Sequence, residues 1–256
     1  MRWLCYSSVL GGNVKIFVLL YCHSYENLPG NLLFFESVRI GFPDAEIHVV
    51  DNDCAHVYRE QFESKTEKIN GIFSTFKREV LHSNFIESLV KEESEDFYII
   101  DPDTVWFRRM PENYDAPIAG RLIPAFFDSY TGCNTFSRLH TSCLFLSPAR
   151  IRNQIAMLNK FAFNGFHDDM IKQDGSWFRY DTCGKLFHAL REKAHIFNDQ
   201  ENSAFAHLFC GTHLSLIKQY YPQLAEIHKS VYAGERDLQW LYREQDNFFR
   251  SLGFSA

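Results

Sequence analysis

The sequence has no Cys-x-x-Cys pair, no run rich in lysine and arginine, and no apolar stretch near the ~20 residues that a bilayer-spanning helix needs. Its 7 cysteines are scattered and odd in number, which indicates reduced thiols in a cytosolic protein and argues against a disulfide framework. The formal net charge of −6 argues against nucleic-acid binding. We therefore expect a cytoplasmic protein with no nucleic-acid partner and no transmembrane segment, which would meet a membrane-linked substrate only peripherally, at the inner membrane face.

Three common motifs are also missing: the Walker A loop, Gly-x-Gly-x-x-Gly and Gly-x-Ser-x-Gly. The chain therefore offers no P-loop, no dinucleotide fingerprint and no nucleophile elbow. No internal repeat, low-complexity tract or linker divides the 256 residues, of which 46% are apolar and 16% aromatic. This composition predicts a sizeable core and a single domain over residues 1–256.

The first half of the chain alternates strand and helix patterns. Short apolar runs at 14–22, 45–53 and 97–103 predict strands, and helical spacing predicts helices at 31–43 and at 58–94, the latter broken near Gly71. Strands that are apolar throughout are typical of a parallel sheet covered on both faces. The order indicates an α/β fold with a nucleotide-binding half over about 14–110.

The second half, about 111–256, is the half that we expect to bind the acceptor, and it is less regular. We predict strands at 116–123 and 140–148, followed by helices at 148–163, 181–194 and 223–252. Asp181 and Thr182 are the N-cap candidates of the middle helix, which ends in basic residues.

Polar side chains follow each predicted strand of the first half, at 23–26, 51–53 and 101–103. Each cluster alone could simply form a turn. Three together matter more, because ligands of open α/β sheets gather beyond the carboxyl ends of the strands. In "EDFYIIDPDTVWF", Asp101 and Asp103 would repel each other unless Mn²⁺ or Mg²⁺ lay between them. Such an ion can bridge protein carboxylates to a diphosphate and stabilise it as a leaving group.

These segments resemble the GT-A-type nucleotide-sugar glycosyltransferases, mainly family 2-like members, over roughly residues 14–213. "AEIHVVDND" is similar to their second strand, "FYIIDPDTVW" to their DxD strand, and "HTSCLFLSP" to the strand that lines the donor sugar and the acceptor cleft. The resemblance implies a GT-A-like (Rossmann-like), mostly parallel sheet flanked by helices. It also implies sugar transfer from a nucleotide-sugar donor, which we expect to be UDP-linked, to a hydroxyl of a glycan or lipid-linked acceptor.

The resemblance assigns roles to several acidic residues and a histidine. It implies that Asp51, and less directly Asp53, contacts the base or ribose of the nucleotide, and that Asp101 lies against the same ligand. The metal ligands would be Asp101, Asp103 and His213, which lies in a late segment that folds over the diphosphate. His207 is the second candidate from that segment.

Two carboxylates are candidates for the catalytic role, and Asp181 is our first choice for the base. "YDTCGKLFHALREKAHIF" looks like the helix that carries the base in inverting members, which points to Asp181. "NDQENSAFAHL" is similar to the Asp-Gln segment of family 8-like retaining transferases, which points to Asp199. Trp177 or Tyr180 would be the candidates to stack on a sugar of the acceptor.

Other functions fit parts of the same pattern. "YIIDPDTV" also matches the signature of haloacid dehalogenase-like phosphatases, with Asp101 as nucleophile and Asp103 as general acid, although that motif usually lies on the first strand. A nucleotidyltransferase shares the sheet but needs a glycine-rich loop after strand one, which is missing here. A non-catalytic nucleotide- or glycan-binding module is the remaining alternative.

Overall fold

The computed structural model describes residues 14–22, 28–76, 79–128, 132–158, 165–208, 222–232 and 235–251. The strands are β1 (Lys15–Leu20), β2 (Glu46–Asp51), β3 (Ile72–Thr75), β4 (Phe97–Ile100), β5 (Thr104–Trp106), β6 (Ile118–Ile123), β7 (Phe126–Asp128), β8 (Cys133–Thr135), β9 (Arg138–Leu146), β10 (Asp169–Gln173), β11 (Ser176–Tyr180), β12 (His195–Ile196) and β13 (Phe205–His207). The helices are α1 (Leu28–Gly41), α2 (His56–Lys68), α3 (His82–Glu92), α4 (Pro148–Leu158), α5 (Gly184–Leu190), α6 (Asp199–Asn202), α7 (Pro222–Tyr232) and α8 (Leu238–Ser251). Within these ranges, every helix is too short or too polar to cross a membrane.

The main sheet has seven strands in the order β12-β6-β9-β4-β1-β2-β3. All neighbours pair in parallel except β9, which runs antiparallel to both β4 and β6. The predicted α/β class with a mostly parallel sheet is therefore confirmed. Strands from both halves of the chain share this sheet, since β6, β9 and β12 follow residue 111. The single domain over 1–256 stays a prediction.

Helices cover both faces of the sheet, which explains why its central strands are apolar throughout. In β1, Ile16 and Val18 join the core formed with α1 and α2, whereas Phe17 and Leu19 join the core formed with α3, α4 and α5. Because successive side chains of a strand point to opposite faces, a strand with helices on both sides has no solvent-facing position.

The helix predicted over 58–94 is wrong in its middle. The chain forms α2, then β3 parallel to β2, then α3. The predicted break near Gly71 is confirmed: a Cβ there would lie 2.9 Å from Thr66 Cγ2 and 3.1 Å from the carbonyl oxygen of Ile47. Only glycine allows the end of α2 to approach β2 this closely, and the four residues that follow add an edge strand.

The helix predicted over 181–194 also differs from the structure. It begins at Gly184, and a 3₁₀ turn (Arg191–Lys193) follows it. Its N-cap is Cys183, in a left-handed conformation with φ of 61°, so the predicted capping by Asp181 or Thr182 is wrong. The side chains of Asp181 and Thr182 do not cap the helix, because the left-handed Cys183 turns the chain away before the helix starts.

A second sheet, in the order β10-β11-β8-β7, was not predicted. Its hairpin turns at Asp174 and Gly175, whose φ angles of 49° and 82° are those of a two-residue turn with both central residues left-handed. Asp-Gly between two runs of alternating polarity was the sequence signal for this hairpin.

The short strand β5 is held against α1 by a large aromatic side chain. Trp106 is fully buried, and a Cβ on Gly41 would lie 2.7 Å from its ring. On its other side β5 pairs antiparallel with β13. The packing of Trp106 on α1 fixes the position of β5, immediately after "DPD". The pairing of β5 with β13 brings β13 beside the same turn.

Candidate metal centre

Two carboxylates and one imidazole converge at the carboxyl edge of the main sheet. Asp101 follows β4, Asp103 precedes β5, and His207 ends β13 directly opposite Thr104 in the β5–β13 ladder. His207 Nε2 lies 3.0 Å from Asp103 Oδ1 and 3.6 Å from Asp101 Oδ2. One ligand atom from each of the three lies within 4.8 Å of the others.

Backbone bonds hold the turn that carries the carboxylates. The Thr104 N–H donates to the carbonyl of Asp101 (3.1 Å), and the Leu208 N–H donates to the carbonyl of Asp103 (2.9 Å). From β9, Thr141 Oγ1 donates to Asp101 Oδ2 at 3.3 Å. The two carboxylates are therefore positioned by β4, β5, β9 and β13 together.

Burial and neighbouring charges shift the pKa values of this group. Burial raises the pKa of Asp101, although His82 and His207 oppose this effect. Burial alone would lower the pKa of His207, but the Asp103 and Asp101 carboxylates outweigh it, so the net pKa is raised. Burial lowers the pKa of His140 well below its usual value, with a further contribution from His207, whose ring centroid is 4.8 Å away.

The three side chains fit a divalent cation with mixed oxygen and nitrogen ligands. For metal–ligand distances of about 2.1 Å, neighbouring ligands of an octahedral ion lie about 3 Å apart and opposite ones about 4.2 Å apart. The separations of 3.0 and 3.6 Å to His207 lie within this range. Two carboxylates and one imidazole are a ligand set that suits Mn²⁺ and also accepts Mg²⁺.

The histidine of this group is the second of the two candidates from the sequence. His207 joins Asp101 and Asp103, whereas His213 lies outside the described residues. Among described residues, His82 is a further neighbour missed in the sequence, with its Nε2 4.0 Å from Asp101 Oδ1. No local signal marks it, because it opens α3 and reaches Asp101 only through the packing of α3 on the sheet.

The predicted nucleotide-binding aspartates lie at the end of β2. Asp51 is buried, its Oδ1 accepts from the Cys54 N–H (2.8 Å), and its Oδ2 accepts from Arg59 Nε (2.5 Å). Asp53 is exposed, with a left-handed φ of 64°. Asp51 therefore organises the turn after β2 through its own contacts. The roles of Asp51, Asp53 and Asp101 in binding a nucleotide stay predictions.

The two candidate catalytic carboxylates have different surroundings. Asp181 Oδ2 lies 2.6 Å from Arg138 Nη2, and its Oδ1 accepts from the Thr182 N–H (2.9 Å) and lies 3.6 Å from Arg179 Nη2. Asp199 is exposed and makes no ion pair with any other residue in the described ranges. The catalytic role of either residue stays a prediction.

Contacts along β9 and β6 relate both carboxylates to the metal centre. Arg138, the ion-pair partner of Asp181, starts β9, an antiparallel strand whose first residues lie at the carboxyl edge of its neighbour β4. Asp199 opens α6, which Arg121 of β6 holds through Asn202 (Nε–Oδ1 3.1 Å). Both therefore lie on the carboxyl side of the main sheet.

The aromatic candidates for sugar stacking lie on β11. Trp177 is half exposed, with Lys172 Nζ 5.9 Å from its ring centroid. Tyr180 is stacked on Phe136 at 4.2 Å between centroids, so its ring is already covered on one face.

Comparison with known proteins gives structural neighbours only. No protein-family model and no curated protein sequence matches the chain. Among solved structures, it is similar to the bifunctional glycosyltransferase WbbM (8% identity, 75% of this chain and 40% of that chain, TM-score 0.45) and to the glycosyltransferase GlyE of Streptococcus pneumoniae TIGR4 (9%, 84% and 51%, 0.43). It is also similar to the mannosyltransferase PcManGT of Pyrobaculum calidifontis in complex with GDP-Man and Mn²⁺ (11%, 94% and 80%, 0.45). The chain spans 40% of the length of WbbM and 51% of the length of GlyE.

Proposed function

We propose that this protein is a metal-dependent glycosyltransferase that moves a sugar from a nucleotide-sugar donor to a hydroxyl of a glycan or lipid-linked acceptor. The observation that carries the proposal is the group formed by Asp101, Asp103 and His207 at the carboxyl edge of a mostly parallel sheet. In open α/β sheets this edge is where ligands bind. The "DPD" resemblance to the GT-A enzymes favours a nucleotide diphosphate as that ligand, and a UDP-linked donor is the first to test.

Each part of the centre has a role in this reaction. Asp101, Asp103 and His207 would hold Mn²⁺ or Mg²⁺, which when bound offsets the charge of the departing diphosphate. Asp103 is buried, so its charge acts in a site with little water. His140 lies beside His207, with 4.8 Å between ring centroids, and burial lowers its pKa. The transferred sugar passes through an oxocarbenium-like transition state.

The catalytic carboxylate of this proposal is Asp199. It is exposed and unpaired within the described ranges, so its lone pairs are available to a substrate. The oxygens of Asp181 are already engaged by Arg138 and by the Thr182 N–H. The resemblance of 198–208 to family 8-like enzymes leads us to propose transfer with retention of the anomeric configuration.

The phosphatase alternative is not favoured by the fold. Its signature belongs on the first strand, whereas "DPD" follows β4, and the described residues before β4 already form three strands and three helices. Phosphate release from p-nitrophenyl phosphate would revive this alternative. Tight nucleotide binding without release of nucleotide from any donor would favour a non-catalytic binding module.

A thermal-shift panel tests the proposed function. UDP-glucose, UDP-galactose and GDP-mannose are each added with Mn²⁺ and with EDTA. A donor present at 100 times its Kd stabilises the native state by about 2.7 kcal/mol, which raises the Tm by roughly 5–10 °C. We expect at least one donor to give this shift with Mn²⁺ and not with EDTA. Equal shifts in EDTA would contradict the metal-dependent site.

Matched amide substitutions separate the two candidate carboxylates. We expect Asp199→Asn to lower transfer at saturating donor by roughly 100-fold or more, since the amide cannot accept a proton or stabilise positive charge. Asp181→Asn should lower transfer less, by about 10-fold, mainly through KM, because it loosens Arg138. Steady-state kinetics and the anomeric configuration of the product check both. Loss of turnover in Asp181→Asn alone, with an inverted product, would make Asp181 the base.

A further inference from the structure

Arg138 occupies a position between the metal centre and the second sheet. It is the first residue of β9, where it pairs with Ile123 of β6, and its side chain is only 15% exposed. Thr141 of the same strand bonds to Asp101, so β9 connects Arg138 to the metal centre.

One end of the Arg138 guanidinium is held by the protein. Its Nη2 lies 2.6 Å from Asp181 Oδ2, in a charge-assisted bond. The same carboxylate accepts from the Thr182 N–H and lies 3.6 Å from Arg179. These contacts fix the orientation of the Asp181 carboxylate, and its bond to Nη2 fixes the orientation of the Arg138 guanidinium.

The other end of the guanidinium is buried without a partner in the described part of the chain. Arg138 Nη1 is nearly covered, on a side chain that is 15% exposed, and it makes no hydrogen bond there. Buried donors in native proteins are nearly always bonded, so each exception calls for an explanation. An oxygen supplied by a ligand would satisfy this N–H group.

The charges around Arg138 favour a neutral oxygen over an anion. Arg138 and Arg179 carry two positive charges, and Asp181 and Asp168, which lies 2.7 Å from Arg179, carry two negative charges. A carboxylate ligand would leave this cluster with an uncompensated negative charge in a partly buried place. A sugar hydroxyl accepts the same hydrogen bond at no such cost.

Building on the proposed function, we propose that Arg138 Nη1 donates to a hydroxyl of the sugar at the site, and that Asp181 is a positioning residue that aims Arg138. The hydroxyl belongs either to the donor sugar or to the acceptor. Arg138 then selects substrates by a hydroxyl group, and Asp181 contributes through Arg138 instead of taking a proton itself.

Two substitutions and a matched control test this assignment. Arg138→Met removes the donor, Arg138→Lys retains charge, and Arg179→Met removes the other arginine that faces Asp181. Binding of UDP, UDP-glucose and UDP-galactose with Mn²⁺ is measured by calorimetry, together with transfer kinetics and the Tm of each variant. We expect UDP affinity to stay within twofold in all variants, because UDP lacks the sugar.

The two sources of the hydroxyl give different results in Arg138→Met. If the donor sugar supplies it, the preference for a UDP-sugar over UDP falls roughly 10- to 100-fold. If the acceptor supplies it, donor binding and donor hydrolysis are unchanged and the acceptor KM rises by a similar factor. Arg179→Met should change neither quantity more than about threefold, and Arg138→Lys should recover part of the loss.

Combining Arg138→Met with Asp181→Asn tests the positioning role. If Asp181 acts through Arg138, the double variant is no worse than Arg138→Met alone. If the losses of the two single variants multiply in the double variant, this inference is overturned. It is also overturned if a folded Arg138→Met has the binding and kinetics of the wild type. Either result leaves the proposed function standing. Wild-type protein that binds no nucleotide sugar with Mn²⁺ overturns the proposed function and this inference with it.

Discussion

Asp103→Asn is expected to lower Mn²⁺-dependent donor binding and to lower sugar transfer further, by more than about 100-fold. The carboxylate is a proposed metal ligand, and even residues that only support metal ligands cost 10- to 100-fold when removed. Transfer should suffer most, because the leaving diphosphate needs the metal more in the transition state than in the bound donor. Calorimetry with UDP and Mn²⁺, and transfer kinetics at saturating donor, measure the two losses.

Stability should change little in the same variant. Asp103 Oδ1 lies 3.0 Å from His207 Nε2, and the asparagine oxygen can accept the same hydrogen bond. The variant without metal should therefore unfold within about 1 kcal/mol of the wild type. Asp115→Asn is the matched control, since it removes one exposed carboxylate before β6, at the opposite edge of the sheet. If Asp103→Asn has the same metal affinity and the same turnover as Asp115→Asn, the proposed mechanism is refuted.

Arg59→Met is expected to lower the free energy of unfolding by about 2–3 kcal/mol. It removes the partner of Asp51, whose side chain is 1% exposed, and so leaves a buried carboxylate without its counter-charge. This loss lies at or below the lower limit of the ~3–5 kcal/mol typical of buried ion pairs. Arg59 itself is 33% exposed, so water can reach the vacated place. Urea denaturation of the two proteins measures the difference.

The double variant Arg59→Met with Asp51→Asn should be more stable than the sum of the two single losses predicts, since it leaves no unpaired charge. Additive losses would mean that the ion pair does not hold the turn after β2. Asp51→Asn alone separately tests nucleotide contact. We expect donor affinity to fall with little change in turnover at saturating donor. Unchanged affinity in calorimetry would remove Asp51 from the nucleotide site.

The sequence by itself determined the central strands and the place of the acidic turn. The apolar runs that became β1, β2 and β4 can be recognised locally, because a strand buried on both faces has no polar positions to obscure it. The Asp-Pro-Asp turn follows from the same run, since the polar residues begin where the strand leaves the core. Asp101 and Asp103 could therefore be identified as metal-ligand candidates without any knowledge of the fold.

Only the tertiary structure decided which residues surround that turn. His207 reaches Asp103 because β13 pairs with β5 across about a hundred residues of chain, and no local pattern encodes such a pairing. The sequence predicted Asp181 as a helix-cap candidate, yet the left-handed Cys183 starts the helix later and Arg138 of another strand binds the Asp181 carboxylate. Long-range strand pairing and side-chain packing fix these contacts, and their energy depends on residues that are distant in sequence.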